Sequence, residues 1–137
     1  MSIKLIELIN SVESLNYLSE LKLPAKTSFV IGKFLKDVTP EIETYNKIRS
    51  ERVKEYGTVM LDEEGKEVTD DSGNVRYSFK DKGSNELNEN GKKFIEEMNE
   101  VEEKELDIKI PEINISDLSF NTIEPKYLIK LYWLIKE

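Results

Sequence analysis

The stretch PAKTSFVIGKFLKDVTPEIETYNKIRSERVKEYG, Pro24 to Gly57, decides how this chain folds. Ile31, Phe34, Leu35, Val38, Ile42, Tyr45, Arg52 and Tyr56 follow one another mostly at three- and four-residue steps, with Ile48 and Arg49 sharing the intermediate turn. That is the period of an amphipathic helix. Pro24 suits its first turn, where the missing N–H has no intrahelical acceptor in any case, and Gly57 is a natural terminator. Pro40 lies inside the stripe and removes a hydrogen bond at a cost of about 3 kcal/mol. The stripe therefore predicts either a kink or two nearly collinear helices, with Thr39 ending the first and capping the second. Together they would run about 50 Å at 1.5 Å per residue. One compact core of this size leaves part of such a stripe uncovered, so the chain is expected to self-associate.

Within the same stretch, KLPAKTSFVIGKFLK (Lys22 to Lys36) packs Phe29, Val30, Ile31, Phe34 and Leu35 into a few residues. They span too wide an arc for one narrow seam. Part of that face is expected in the core. The remainder, with Phe29, Phe34 and Tyr45 as anchors, either meets another chain, as a candidate surface for a protein partner, or packs on the terminal helix that carries Trp133.

Working outward, Ile3, Ile6, Leu8, Ile9, Val12 and Leu15 predict an opening helix over Ser2–Glu20. Beyond Gly57, TVML (Thr58–Leu61) and VRYSFK (Val75–Lys80) have strand composition, punctuated by the turn-like DEEG and DDSGN, and predict a β-hairpin over 57–83. Leu87, Phe94, Ile95, Met98 and Val101 mark a third helix between Ser84 and Lys104, weakened at Asn90-Gly91, so that its start falls near Lys92. Leu106, Ile108, Ile110, Ile113 and Ile115 alternate around Pro111 as an extended edge segment. Pro125 opens a closing helix anchored by Leu128, Leu131, Trp133, Leu134 and Ile135. No internal repeat stands out. The expectation is one α+β domain, 1–137, made of a helical part (1–56), a hairpin region (57–83) and a helix, edge strand and closing helix (84–137).

The 137 residues include neither cysteine nor histidine. There is thus no disulfide framework or thiolate, and the side chain most used for proton transfer near neutrality is missing. A non-enzymatic protein without metal or cofactor is expected. Net charge is −8 and uneven: Met1–Tyr56 holds 9 Lys/Arg against 8 Asp/Glu, and the remainder 11 against 20. An acidic surface repels a phosphate backbone, which disfavours direct nucleic-acid binding. No run is long and apolar enough to span a membrane.

Three charged constellations merit weighing. The acids of EEMNEVEEKE, among them Glu96, Glu97, Glu100 and Glu103, either solvate a helix face or imitate a row of phosphates in a partner's basic groove. An EF-hand loop starting at Asp70 fails, because its sixth residue is Val75 rather than glycine and its twelfth is Asp81 rather than glutamate. Arg49, Arg52 and Arg76, with Tyr77 and Phe79, either clamp a small anionic ligand or pair with Glu51, Glu55 or the acidic third helix.

KLPAKTSFVIGKFLK, YNKIRSERVKEYG, DEEGKEVTDDSG and IEPKYLIKLYWLIKE, taken in order, resemble a group of small proteins of unknown function encoded by phages and prophages of low-GC Gram-positive bacteria. The resemblance implies a viral accessory or assembly protein acting in the host cytoplasm. The expected function is binding and modulation of a host protein or defence system; the alternatives are a virion or tail-assembly component binding phage proteins and, from the arginine and aromatic set, a small-ligand-sequestering protein. It supplies no catalytic residues.

Overall fold

The computed structural model describes residues 2–118 and 123–136; the termini of the expected 1–137 domain lie outside them. The chain is α+β. In order it forms β1 (Ile3–Lys4), α1 (Leu5–Glu20), α2 (Ala25–Tyr56), β2 (Thr58–Val59), β3 (Tyr77–Ser78), α3 (Glu89–Glu102), β4 (Glu105–Leu106), β5 (Ile113–Asn114), a short 3-10 turn (Ile115–Leu118), α4 (Pro125–Ile129) and β6 (Ile135–Lys136). Two compact units result: Met1–Glu43 with Glu102–Glu137, and Thr44–Val101. Their boundaries fall within α2 and at the end of α3, not at Gly57.

Pro40 does not divide the long helix: α2 is continuous over 32 residues. Thr39 is not a cap, because its Oγ1 donates back to the Leu35 carbonyl at 2.6 Å. Lys36, whose carbonyl loses its donor at Pro40, is exposed and open to water. The penalty of about 3 kcal/mol is outweighed locally. Ile31, Phe34 and Val38 are each at most 3% exposed, and burial of such side chains contributes about 1.5–3 kcal/mol each.

In the first unit, the core draws on α1 (Leu5, Leu8, Leu15, Leu18), the start of α2 and the C-terminal Leu131, Trp133 and Leu134. Ser11 joins α1 to the C-terminal segment. Its hydroxyl accepts the indole N–H of Trp133 at 3.1 Å, and its proton can be donated to the carbonyl of Glu7 at 2.7 Å or of Lys130 at 2.9 Å. The Tyr17 and Tyr127 rings stack at 4.0 Å and add a second link between α1 and the C-terminal segment. Three expectations are corrected here. Residues 3–4 are not helical, because Ile3 and Lys4 pair antiparallel with Leu106 and Glu105. The extended segment is in ladders only at β4 and β5, and Ile115 starts the 3-10 turn half in solvent. The closing helix ends after five residues, since the chain turns at Lys130–Leu134 to bring β6 alongside β5 in parallel, Ile113 opposite Ile135.

In the second unit, the predicted hairpin is a three-sided arrangement built on an eight-residue repeat that was not expected. The amide of Met60 donates to the Arg76 carbonyl, that of Val68 to Met60 and that of Arg76 to Val68, at 2.8–2.9 Å. These bonds close a ring. The bridges Leu61–Glu67 and Thr69–Val75, and the pairing of Val59 with Tyr77, obey the same pseudo-threefold rule. Two corners are alike: Asp62 Oδ1 accepts the amides of Glu64 and Lys66, and Asp70 Oδ1 those of Ser72 and Asn74, at 2.9–3.0 Å. Gly65 and Gly73 close these turns with φ of 80° and 85°, where a side chain would be strained. At the third corner Ser78 Oγ takes the aspartate's place and accepts the Lys80 amide at 3.2 Å.

The amides of Asn74 and Ser72 hold the Asp70 carboxyl below the usual aspartate range. A depressed carboxylate stabilises the turn above its unfolded titration range, and the contribution is lost as pH falls through the folded value. The Ser72 and Asn74 amide resonances are therefore expected to keep their turn shifts down to about pH 4 and to move toward unstructured values below it. A transition centred near neutrality would contradict the assignment.

After β3 the chain turns back at Gly83, with Lys80 bridged antiparallel to Leu87, and the Asn88 amide donates to the Phe79 carbonyl at 2.8 Å. Asn88 Oδ1 then caps α3 by accepting the Gly91 amide at 2.7 Å, which sets the helix start at Glu89, ahead of Lys92. Phe79 stacks on Phe94 with centroids 4.5 Å apart. Ile95, expected to be an anchor, is 42% exposed, while Phe94 and Met98 are buried.

Candidate functional site

The candidate partner anchors separate. Phe34 is buried against Trp133, with ring centroids 5.8 Å apart, and Tyr45 is also buried, so neither offers a surface. Phe29, one turn earlier on α2, is 71% exposed. It stands at the rim of a groove of about 270 Å³ in the first unit, walled by Val30, Phe34 and Pro111 and edged by Lys33, Asp37 and Lys109. The density of apolar residues at Phe29–Leu35 thus resolves into two roles: Ile31 and Phe34 are core, and Phe29 faces outward.

The acidic helix divides as well. Glu96 and Glu100 are exposed and make no ion pair among the described residues. Glu97 lies 3.4 Å from Arg52 Nε, and its carboxylate beside Tyr56 raises the phenol above its usual range. Glu103 holds Lys4 Nζ at 2.7 Å, which raises the lysine and ties β1 to the residues that lead into β4. Of these four acids, two are already engaged within their own units.

Of the arginine and aromatic set, the structure brings together only Arg49 and Tyr77. Arg52 is taken up by Glu55 and Glu97, each at 3.4 Å. Phe79 is committed to Phe94. The Arg76 backbone serves the three-sided ring and its side chain is exposed. Arg49 and Tyr77 line a cleft of about 730 Å³ within the second unit. One wall is a face of α2, Asn46, Arg49, Ser50, Val53 and Lys54. Opposite stand Gly73, Asn74, Val75 and Tyr77 from the ring. Tyr77 can approach because Gly57 follows α2: a Cβ there would fall 2.8 Å from the Tyr77 Cβ. The Arg49 guanidinium lies over the Phe94 ring, 6.0 Å from its centroid. Nothing in the sequence singles out Asn46, Ser50, Lys54 or Asn74, although the four-residue spacing of Asn46, Ser50 and Lys54 puts them on one helix face.

Among the described residues, no group of three or more His, Cys, Asp or Glu side chains is placed to hold a metal ion. Nor is any helix long and apolar enough to cross a membrane. No protein family, curated protein or solved structure matches this chain.

Proposed function

We propose that this chain is a non-enzymatic phage accessory protein that binds and modulates a host protein in the host cytoplasm. The observation that supports the reading is Phe29, an aromatic side chain left 71% exposed beside an apolar groove on an otherwise charged helix face. Exposed aromatics next to a pocket are the kind of residue that dominates protein interfaces. Lys33 and Lys109 outnumber Asp37 at the rim, so the groove suits a partner segment that inserts one apolar side chain and flanks it with acids.

The test is affinity for a purified partner, first captured from host lysate. Phe29→Ala is expected to leave the thermal midpoint of the free protein unchanged and to weaken partner binding by about tenfold or more, the range of an interface hot spot. Equal affinity for variant and wild type would remove this face from the interface. Sedimentation of the two free proteins tests the self-association proposal: a wild-type dimer that dissociates on Phe29→Ala would assign the groove to a second copy and overturn the host-protein reading.

A further inference from the structure

We propose that the cleft between α2 and the three-sided ring of the second unit binds a small phosphate ester, independently of the Phe29 groove. Its lining carries two cations, Arg49 and Lys54, and no carboxylate, although the chain as a whole has a net charge of −8. Neither cation makes an ion pair among the described residues, whereas neighbouring Arg52 makes two. Arg49 is instead held over the Phe94 ring, which fixes the guanidinium without neutralising it.

The donor count favours phosphate over carboxylate. Arg49 offers a planar fork and Lys54 a point charge, while Asn46, Ser50 and Asn74 add neutral donors on both walls. A carboxylate has two oxygens to satisfy, and a phosphate monoester has three on its terminal group. Val53, Val75 and the Tyr77 ring add apolar wall, which suits an esterified body with a flat ring. A volume of about 730 Å³ is within the range of small-ligand sites and far larger than inorganic phosphate needs. Of the two acids of the adjoining turn, Asp70 and Asp71, neither lines the cleft, and Asp70 spends Oδ1 on the turn amides.

The experiment is an NMR titration of the full chain at low ionic strength with adenosine monophosphate, inorganic phosphate and adenosine as probes. Adenosine monophosphate is expected to give saturable shifts at Asn46, Ser50 and Asn74 and to be displaced by excess inorganic phosphate, while adenosine gives none. Lys54→Gln should weaken binding about fivefold or more, as expected for loss of a charge-assisted contact. Arg49→Gln should do at least as much. Lys66→Gln, an exposed cation on a turn outside the cleft, should change nothing. Lys54 is exposed, so its variant reports on binding even if Arg49→Gln perturbs the Phe94 contact. The proposal is overturned by an absence of saturable shifts up to about 10 mM nucleotide, a concentration at which any specific site is filled, by adenosine binding as well as its monophosphate, or by unchanged affinity in Lys54→Gln.

Discussion

Trp133→Ala is expected to destabilise the first unit by about 3–5 kcal/mol. The indole is only 7% exposed, meets Phe34 at an interplanar angle of 56° and donates to Ser11. Truncation removes the apolar burial and leaves a cavity between α1, the start of α2 and the C-terminal segment, which few neighbours can collapse to fill. Against a typical total of about 5–15 kcal/mol, the loss would leave the unit marginal. Urea unfolding followed by circular dichroism measures it, since the chain's one tryptophan is itself removed. A loss below about 1.5 kcal/mol would mean that the indole is not a core residue. The Ser11 bond is separable by a cycle of Trp133→Phe and Ser11→Ala. Each single change removes one partner of a buried hydrogen bond, worth roughly 1–3 kcal/mol when the other is left unsatisfied. The double variant should lose less than the sum of the two.

The helices were legible because their signals are local. Leu8 and Leu15 in α1, Ile31, Phe34 and Val38 in α2, and Phe94 and Met98 in α3 all show helical spacing and are all buried. What could not be read was decided by partners far along the chain. Ile3 and Lys4 continue a helical pattern but pair with residues about a hundred positions away. Leu131 and Leu134 are spaced as a helix would have them, yet the gain from placing Ile135 beside Ile113 turns the backbone out of α4. Pro40 ends no helix, because the core beneath α2 outweighs its local penalty. The eight-residue repeat had a visible trace, Asp62 to Gly65 and again Asp70 to Gly73, but Ser78 breaks the spelling at the third corner while keeping the hydrogen bond. For the cleft, residue type was a poor guide. Three arginines looked equivalent in sequence, and only the positions of Glu55, Glu97 and Phe94 distinguish the committed Arg52 from the unpaired Arg49.

Gly91→Ala is expected to destabilise the second unit although it should improve α3 as a helix. Alanine exceeds glycine in helix propensity by roughly 1 kcal/mol, so propensity alone predicts a gain. The geometry opposes it. A Cβ at Gly91 would stand 2.8 Å from both the Cβ and the carbonyl oxygen of Phe79, and 3.2 Å from a Leu87 methyl. Two of these atoms cannot swing aside. The Phe79 carbonyl accepts the Asn88 amide and fixes the approach of the strand to the helix, and the Phe79 ring is stacked on Phe94. Relief therefore requires α3 to move away from the strand, weakening the Asn88 cap and the aromatic stack together. Overpacking of this kind typically costs about 1–3 kcal/mol, and the gain in propensity offsets only part of it. Thermal unfolding of Gly91→Ala beside Gly32→Ala provides the comparison, because Gly32 lies within α2 with nothing near its position for a Cβ to meet. Gly32→Ala should raise stability by up to about 1 kcal/mol, and Gly91→Ala should lower it. If both substitutions stabilise, the close packing of Phe79 on α3 is wrong. The stack of Phe79 on Phe94, the ring over which Arg49 lies, would then need revision as well.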